Sequence, residues 1–191
     1  NQSGTLTYNG SLQTVSLSIN KFGDDDVTAS TAQVKNAGIH TQAVSLSGAA
    51  ANNYQVGNVS VTVGKFTLTV NQSGTLTYNG SLQTVSLSIN KFGDDDVTAS
   101  TDQVKNATSY SQAVTLGGAA ANNYQVSSNV SITVDKFTLT VTQDGTLTYN
   151  GALQDVPLSI NKFGDDDVTA STAQVKNAGI HTQAVSLSGV A

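Results

Sequence analysis

The stretch that decides the fold is NQSGTLTYNGSLQTVSLSINKFGDDDVTAS, residues 1–30, because it returns twice farther along the chain. It recurs unchanged at 71–100, and a close variant, TQDGTLTYNGALQDVPLSINKFGDDDVTAS, occupies 142–171. The copies are therefore 70 and 71 residues apart. A period of this length exceeds that of common solenoid repeats and indicates a small domain repeated in tandem.

The start of each copy has the pattern of a strand followed by a tight turn. Asn9-Gly10, between TLTY and SLQTVSLSI, predicts a β-hairpin with a type I′ turn, in which both central residues have positive φ. From Val15 onward, apolar residues alternate with serine, which is typical of a strand with one buried and one wet face. The apolar positions of this strand are Leu12, Val15, Leu17 and Ile19.

The rest of the period also consists of strand and turn signals. VTASTAQV, HTQAVSLSG, NYQV, NVSVTV and KFTLTV read as short strands, with a bulge or register change expected at Ala43 or Val44. No segment has a helical period. We therefore predict an all-β fold of tandem small β-sandwich, immunoglobulin-like modules in an elongated array, with β-grasp-like modules as the alternative. Tyr54 and Tyr124 occupy the place of a tyrosine corner in such a sandwich.

The junctions between modules can be drawn in two frames. If KFTLTV is the first strand of a module, Gly64-Lys65 and Asp135-Lys136 are junctions. This preferred frame gives β-repeat 1 at 1–64 without its first strand, a complete β-repeat 2 at 65–135, and β-repeat 3 at 136–191 without its C-terminal strands. The other frame places the breaks near Val70 and Val141.

Composition excludes several classes of function. The net charge is −5 and the pI near 4.6, and every cation is lysine, so we expect no nucleic-acid partner. The absence of cysteine removes disulfides and thiolate sites. No apolar run approaches the roughly 18 residues that span a bilayer, so we expect no membrane insertion. No signal-peptide pattern begins at Asn1, so an exported protein would carry this segment internally.

The aspartate triplets Asp24–Asp26, Asp94–Asp96 and Asp165–Asp167 are the most charge-dense segments. Carboxylates can bind Ca²⁺, but consecutive residues rarely converge on one ion, so we predict solvated loops and no metal site. His40 and His181 are equivalent, and the middle copy carries Tyr110 there, which argues against a metal or acid–base role.

Lysine precedes phenylalanine in each KFGDDD segment, at Lys21, Lys91 and Lys162. We interpret these lysines as edge-strand residues that discourage aggregation. The alternative is a Lys–Asn isopeptide crosslink, which needs a buried lysine beside an asparagine and a carboxylate. With no Glu or Cys, and no Ser-His-Asp order common to all copies, we expect no catalytic residue, no cofactor and no enzymatic activity.

Four turn motifs carry a resemblance to a known family. They are Tyr8-Asn9-Gly10, Asp25-Asp26-Val27-Thr28, Lys35-Asn36-Ala37-Gly38, and Ser47-Gly48 with Asn53-Tyr54. Together they resemble the YDG/MBG-type tandem repeats of large bacterial exported adhesins, the filamentous-haemagglutinin-like surface proteins. Asparagine replaces the aspartate of the first motif, and the middle copy lacks the glycine of the third. The resemblance implies an extracellular location on the bacterial cell surface, and it implies no chemistry.

These observations lead to a structural hypothesis. The repeats would form the stalk or spacer of an adhesin and project a binding domain from the cell. Their partners would be neighbouring repeats of the same chain, and a host or matrix surface contacted through domains outside this chain. The alternative is a multivalent module that binds glycan or host protein. Its exposed-aromatic candidates are Tyr8, Tyr78, Tyr110 and Tyr149, although aromatics are only 6% of the chain and tryptophan is absent.

Overall fold

The computed structural model describes residues 1–189, and these residues form an all-β structure. Strands make up 37% of the structure, and no helix within the described part reaches seven residues. Two short 3-10 turns, Ala51–Asn53 and Ala121–Asn123, interrupt the strands. The all-β prediction is therefore confirmed, whereas the sandwich and β-grasp arrangements stay predictions.

The strands are short, from two to six residues. Residues 1–64 contain β1 (Leu6–Thr7), β2 (Thr28–Ser30), β3 (Gly38–Gln42), β4 (Ser45–Ser47) and β5 (Val59–Gly64). Residues 65–135 contain β6 (Phe66–Leu68), β7 (Val70–Gln72), β8 (Leu76–Thr77), β9 (Leu87–Ile89), β10 (Thr98–Ser100), β11 (Ser109–Gln112), β12 (Thr115–Gly117), β13 (Tyr124–Val126) and β14 (Val130–Asp135). Residues 136–189 contain β15 (Val141–Gln143), β16 (Leu158–Ile160), β17 (Thr169–Ser171) and β18 (Ser186–Ser188).

The strands pair in several small sheets that recur with the period. β5 lies between β1, which is parallel to it, and β3, which is antiparallel, and the sheet β11-β14-β8 repeats this order. Antiparallel pairs β2-β4, β10-β12 and β17-β18 form a second recurring sheet. The chain leaves the strand at Ala43 and Val44, so that β3 and β4 join different sheets, at the position where the sequence predicted a change of register.

The predicted type I′ hairpin is wrong. β1 pairs with β5 instead of turning back, and the antiparallel bridge joins Gln2 to Leu17. Gly10 has φ +78°, but no non-glycine residue in the described part has a positive φ, so Asn9 does not fit a type I′ turn. Instead, the Asn9 side chain accepts a hydrogen bond from the backbone N–H of Ser11 at 3.0 Å. This Asx turn gives the backbone a competing local partner.

The apolar face predicted for the strand after this turn is partly correct. Val15 is buried, with 6% exposure, but Leu12 is 61% exposed, and its equivalents Leu82 and Leu153 are each 62% exposed. Leu12 and Val15 are three positions apart, and an odd separation places side chains on opposite faces of an extended chain. The exposure of Leu12 therefore agrees with an alternation that begins only at Val15.

The chain folds into two compact units, each built from several segments. The first contains 1–73, 86–101 and 111–131, and the second contains 74–85, 102–110 and the chain from Ile132 onward. The buried core of the first unit consists of Tyr8, Val15, Val34, Val61, Val63, Leu68, Val97 and Tyr124. The second unit buries Val85, Val104, Ile132 and Val134. Each unit thus combines residues from successive copies of the repeat.

The turn after β12 provides a test of this architecture. Gly118 has φ +95°, and a Cβ built there would lie 2.3 Å from the backbone oxygen of Asp96. We expect Gly118→Ala to lower the free energy of unfolding by about 2–4 kcal/mol, because both the backbone and the contact are strained. Urea denaturation would measure the change.

Gly57→Ala is the matched control for this substitution. Gly57 has an ordinary φ, and a Cβ there would meet nothing within 4 Å. We expect a change within about 0.5 kcal/mol. Equal stability of the two variants would contradict the close approach of Gly118 to Asp96.

Candidate functional site: a tyrosine–aspartate cluster

Three segments that are distant in sequence meet in the first unit. The hydroxyls of Tyr8 and Tyr124 both donate to Oδ2 of Asp95, at 2.6 and 2.5 Å. Tyr8 belongs to the first copy of GTLTYNG, and Asp95 lies 87 residues later in the second copy of KFGDDD. We call the group of Tyr8, Phe66, Phe92, Asp95 and Tyr124 the Tyr–Asp cluster.

Aromatic rings pack against the two tyrosines that bond the carboxylate. The Tyr8 ring meets Phe92 edge-on at 5.9 Å and Tyr124 edge-on at 5.3 Å, and Phe66 lies 4.6 Å from Phe92. Tyr8 and Tyr124 are each only 1% exposed. Edge contacts of this kind contribute about 0.5–1.5 kcal/mol beyond the burial of the rings. The cluster thus combines packed aromatic rings with one charged hydrogen-bond acceptor.

Glycine in the Asn-Gly turn allows the phenylalanine to approach. A Cβ on Gly10 would lie 2.8 Å from Cβ of Phe92, a distance that real Cβ atoms essentially never show. Gly10 also has φ +78°, a conformation that L side chains rarely adopt. The turn residue therefore has two functions, since it redirects the chain and it provides the surface on which Phe92 rests.

The KFGDDD turn forms hydrogen bonds within itself, with Tyr124 and with the turn after β12. The backbone N–H of Phe92 donates to the Tyr124 hydroxyl at 3.0 Å, and the ammonium of Lys91 donates to the carbonyl of Asp95 at 2.7 Å. Oδ2 of Asp96 accepts the backbone N–H of Ala119 at 2.9 Å. Two carboxylates of the triplet therefore have fixed structural partners.

The prediction of solvated aspartate loops is wrong for the middle position, since Asp95 is half-buried, whereas Asp96 is exposed although its side chain is bonded. Asp95 bonds the tyrosines and Asp96 bonds the turn after β12, whereas Asp94 is exposed. The sequence could not show this, because the partners lie far away along the chain. Residues 1–189 contain no group of three or more His, Cys, Asp or Glu side chains that could hold a metal ion.

Burial and the carboxylate set the protonation of the cluster. Burial, followed by the hydrogen bond to Asp95, raises the pKa of Tyr8 well above its ordinary range, and the same two causes raise the pKa of Tyr124. The hydrogen bonds from Tyr124 and Tyr8 lower the pKa of Asp95. At neutral pH, protonated phenols therefore donate to an ionised carboxylate, a charge-assisted bond. Such a carboxylate is a poor proton acceptor, so the arrangement favours a structural bond over proton transfer.

The constellation recurs in the second unit with one tyrosine in place of two. The hydroxyl of Tyr78 lies 2.7 and 2.9 Å from the two carboxylate oxygens of Asp166. Its ring meets Phe163 edge-on at 5.9 Å, and Phe137 lies 4.6 Å from Phe163. A Cβ on Gly80 would again lie 2.8 Å from Cβ of the phenylalanine. The bond from a tyrosine to the aspartate of the next copy is therefore a property of the repeat.

Asn123 makes a second tie between copies in the first unit. Its Oδ1 accepts the backbone N–H of Ala37 at 2.9 Å, and its Nδ2 lies 3.5 Å from Oδ1 of Asn36. Asn123 is 8% exposed. It thus fixes the Lys-Asn-Ala-Gly turn of the first copy. Sequence reasoning missed this role because nothing in the local pattern distinguishes Asn123 from Asn53.

His40, Tyr110 and His181 have one common function. Each side chain reaches the backbone carbonyl four residues earlier, with distances of 2.7 Å to Asn36, 2.9 Å to Asn106 and 2.8 Å to Asn177. Either an imidazole or a phenol can make this bond, which explains why the middle copy carries tyrosine. The structure places these residues at a turn and brings them near no metal-binding group in the described part.

The KFGDDD lysines occupy a turn and not a strand edge. Lys21, Lys91 and Lys162 are all exposed and outside the strands, and each donates to the carbonyl of the central aspartate of its own triplet. The interpretation as edge-strand lysines is therefore wrong. The isopeptide alternative requires a buried lysine, and these positions do not provide one.

Two interpretations of the tyrosines also change. Tyr8 was a candidate exposed aromatic, yet it is buried at the centre of the cluster, and the Tyr78 hydroxyl is bonded to Asp166. Tyr149 is 59% exposed, as predicted. The Tyr124 hydroxyl bonds residues 29 and 32 positions upstream, farther than the few residues that separate the partners in a tyrosine corner.

The hydroxyl of Tyr8 can be removed without changing the ring. We expect Tyr8→Phe to lower the free energy of unfolding by about 1–3 kcal/mol, because a hydrogen bond to a charged acceptor is lost from a buried site. Urea denaturation would measure the change. The control is Tyr110→Phe, whose hydroxyl bonds an exposed carbonyl and whose effect should stay within about 0.5 kcal/mol. Equal losses in both variants would contradict a special role for the bond to Asp95.

Stability should fall at both ends of the pH scale. The lowered pKa of Asp95 stabilises the fold above the ordinary carboxyl pKa of about 3.9, and this contribution is lost as pH falls through the lower folded value. The raised pKa values of Tyr8 and Tyr124 stabilise the fold below about 10, and this contribution is lost as pH rises toward the folded values.

Thermal melts of the wild type and of Tyr8→Phe between these extremes would test the linkage. We expect the melting temperature of the variant to vary less with pH on both the acid and the alkaline side. Superimposable pH profiles, after subtraction of a constant offset, would show that the cluster does not couple folding to protonation.

Comparison with known proteins leaves the cluster as the main guide to function. No protein-family model, curated protein or solved structure matches this chain. Within residues 1–189, no helix has the length and apolar character needed to cross a bilayer. The features that bear on function are therefore the tandem repeat and the bond that ties each copy to the next.

Proposed function

We propose that this chain is a set of structural stalk or spacer repeats of a bacterial cell-surface adhesin. The observation that carries the proposal is the tyrosine–aspartate bond between consecutive copies, seen at Tyr8–Asp95 and again at Tyr78–Asp166. A spacer holds a binding domain at a defined distance only if each copy is fixed to its neighbour. Buried aromatic packing around a charge-assisted hydrogen bond supplies such a fixed junction.

Near-identity of the copies supports a function defined by length. Residues 1–30 and 71–100 are identical, so these two segments offer the same side chains and neither has a functional residue that the other lacks. A chain selected for reach needs uniform units, whereas a chain with one active centre needs only one intact copy. A structural, non-enzymatic function accounts for this uniformity.

The cell-surface setting rests on the four turn motifs that resemble exported adhesin repeats. In this proposal the array lies outside the bacterial cell, its partners are neighbouring repeats, and other domains contact a host or matrix surface. The absence of cysteine and the acidic composition are compatible with such a setting. Aspartate and threonine also keep a long exposed array in solution.

The multivalent-binding alternative loses support from the positions of the tyrosines. Recognition of sugars or proteins relies on exposed aromatic side chains that repeat along the array. Tyr8 is buried and the Tyr78 hydroxyl bonds Asp166, so the repeating tyrosine of GTLTYNG is used inside the structure in two of the three copies.

Small-angle X-ray scattering tests the spacer proposal. A compact chain of 191 residues would have a radius of gyration of about 16 Å. We expect a clearly larger radius and a maximum dimension that grows by one constant step when a second copy of residues 65–135 is inserted after Asp135. A radius near the compact value for both chains would exclude a spacer.

A double variant tests whether the junctions provide the stiffness. Tyr8→Phe combined with Tyr78→Phe should broaden the distance distribution, because both tyrosine–aspartate hydrogen bonds between copies are lost while the rings stay. Tyr110→Phe, which removes a hydroxyl bonded within its own copy, is the control and should leave the distribution unchanged. An unchanged distribution in the double variant would assign the stiffness to other contacts.

A further inference from the structure

Three parallel strand pairs join the beginning of a repeat period to its end. The pairs are β1 with β5, β6 with β13, and β8 with β14, and their paired residues lie 57 or 58 positions apart. In a parallel pair the first strand begins at the end where the second strand also begins. The N-terminal end of the first strand and the C-terminal end of the last strand are therefore at opposite ends of the pair. Tension that enters at one and leaves at the other pulls along the strands.

The pairing of β1 with β5 extends beyond the strands themselves. The backbone N–H of Tyr8 donates to the carbonyl of Gly64 at 2.9 Å. The side chain of Gln2 makes two bonds with the backbone of Thr62, since Nε2 donates to the carbonyl at 3.1 Å and Oε1 accepts the N–H at 2.7 Å. A side-chain amide has the donors and the acceptor of a peptide group, so Gln2 pairs with β5 as another strand residue would.

Apolar side chains cover one face of this pair. Val61 and Val63 of β5 are 0% and 2% exposed. Because water is excluded from that face, a hydrogen bond that breaks there finds no replacement partner on the buried side, and breaking it costs more than at an exposed site.

The second unit repeats this construction. The backbone N–H of Tyr78 donates to the carbonyl of Asp135 at 2.9 Å, which extends the pairing of β8 with β14. Ile132 and Val134 of β14 are 0% and 2% exposed. The extended parallel pair with a buried face is therefore a property of the repeat.

We propose that the parallel pair of first and last strands is the element of these repeats that resists tension along the chain. In that direction the hydrogen bonds lie across the force, so they must break together before one strand can slide past the other. If the same strands were pulled apart from one end, the bonds would break one after another. The proposal concerns resistance to tension and holds whether or not the array is an adhesin spacer.

Tyr8 connects this pair to the Tyr–Asp cluster. Its backbone N–H continues the pairing with β5, and its hydroxyl donates to Asp95 in the next copy. Sliding of β1 along β5 would therefore also withdraw a ring that is 1% exposed and break its hydrogen bond. Tension on one copy is thus opposed in part by a contact with the following copy.

Single-molecule force measurements on the full chain test the proposal. The chain has no cysteine, so handles attach only at introduced thiols. Asn1→Cys with Lys65→Cys pulls before β1 and after β5, which shears the pair, whereas Asn1→Cys with Asn58→Cys pulls both strands from their N-terminal ends. All three positions are exposed, so the fold should be retained. We expect a rupture force about twofold higher or more in the shearing geometry, because the bonds are then loaded together.

Removal of the Gln2 amide tests the side-chain bonds separately. We expect Gln2→Ala to lower the rupture force in the shearing geometry, since two bonds across the pair are lost. The control is Gln33→Ala, because Gln33 is exposed and its side chain bonds Thr14 outside the parallel pairs. This control should rupture at the wild-type force. The two variants should differ more in rupture force than in melting temperature.

Two outcomes would overturn the proposal. Equal rupture forces in the two pulling geometries would show that the parallel pair does not resist tension. Equal losses of force in Gln2→Ala and Gln33→Ala would show that the bonds across the pair do not set the rupture force. A compact chain in scattering would contradict the spacer without changing either measurement, so the failure of one proposal is distinguishable from the failure of the other.

Discussion

Two tyrosine hydroxyls that share one aspartate oxygen join distant segments of the chain in the first unit. Tyr8 and Tyr124 approach Asp95 from different copies of the repeat, and Phe66 and Phe92 complete the apolar shell. Modules of about 70 residues bury little surface, and those without disulfides or a metal need another source of cohesion. Here the contact with the next copy supplies it. The copies therefore depend on one another for their cores.

Backbone pairing alone would not hold this structure. The strands have two to six residues, and short isolated pairs are marginal in water. Parallel pairs such as β1-β5 and β6-β13 join residues about 57 positions apart, at Leu6–Val63 and Phe66–Tyr124, so loop closure must precede their formation. The burial of side chains at the ends of these strands offsets the conformational entropy that is lost when the loops close. The aromatic cluster and the sheets thus stabilise each other.

Local patterns in the sequence predicted the features that depend on residues close together along the chain. Alternation identified the strands and the burial of Val15, and the break at Ala43-Val44 marked the change of sheet. Leu12 shows the limit of this approach, because an apolar residue at the wrong parity faces solvent. Asn9 shows another, since its side chain bonds the backbone and keeps φ negative where the turn rule expected the opposite sign.

The cluster itself was beyond a local analysis. The partner of Tyr8 lies 87 residues away, and the aspartate triplet looks like a solubilising loop when it is considered alone. One signal was present, because every copy that has the tyrosine of GTLTYNG also has the middle aspartate of KFGDDD. That co-occurrence could have suggested a contact, but it could not distinguish a bond within one copy from a bond to the next.

A bond that always runs from one copy to the next has a consequence for how such a chain changes over generations. Removing or adding one whole period, as recombination between identical segments does, leaves each tyrosine facing an unchanged Lys-Phe-Gly-Asp-Asp-Asp turn. Removing part of a period would instead leave a ring and a carboxylate without each other. The number of copies can therefore change by whole periods without loss of the tyrosine–aspartate contact. A change by part of a period would leave that contact incomplete.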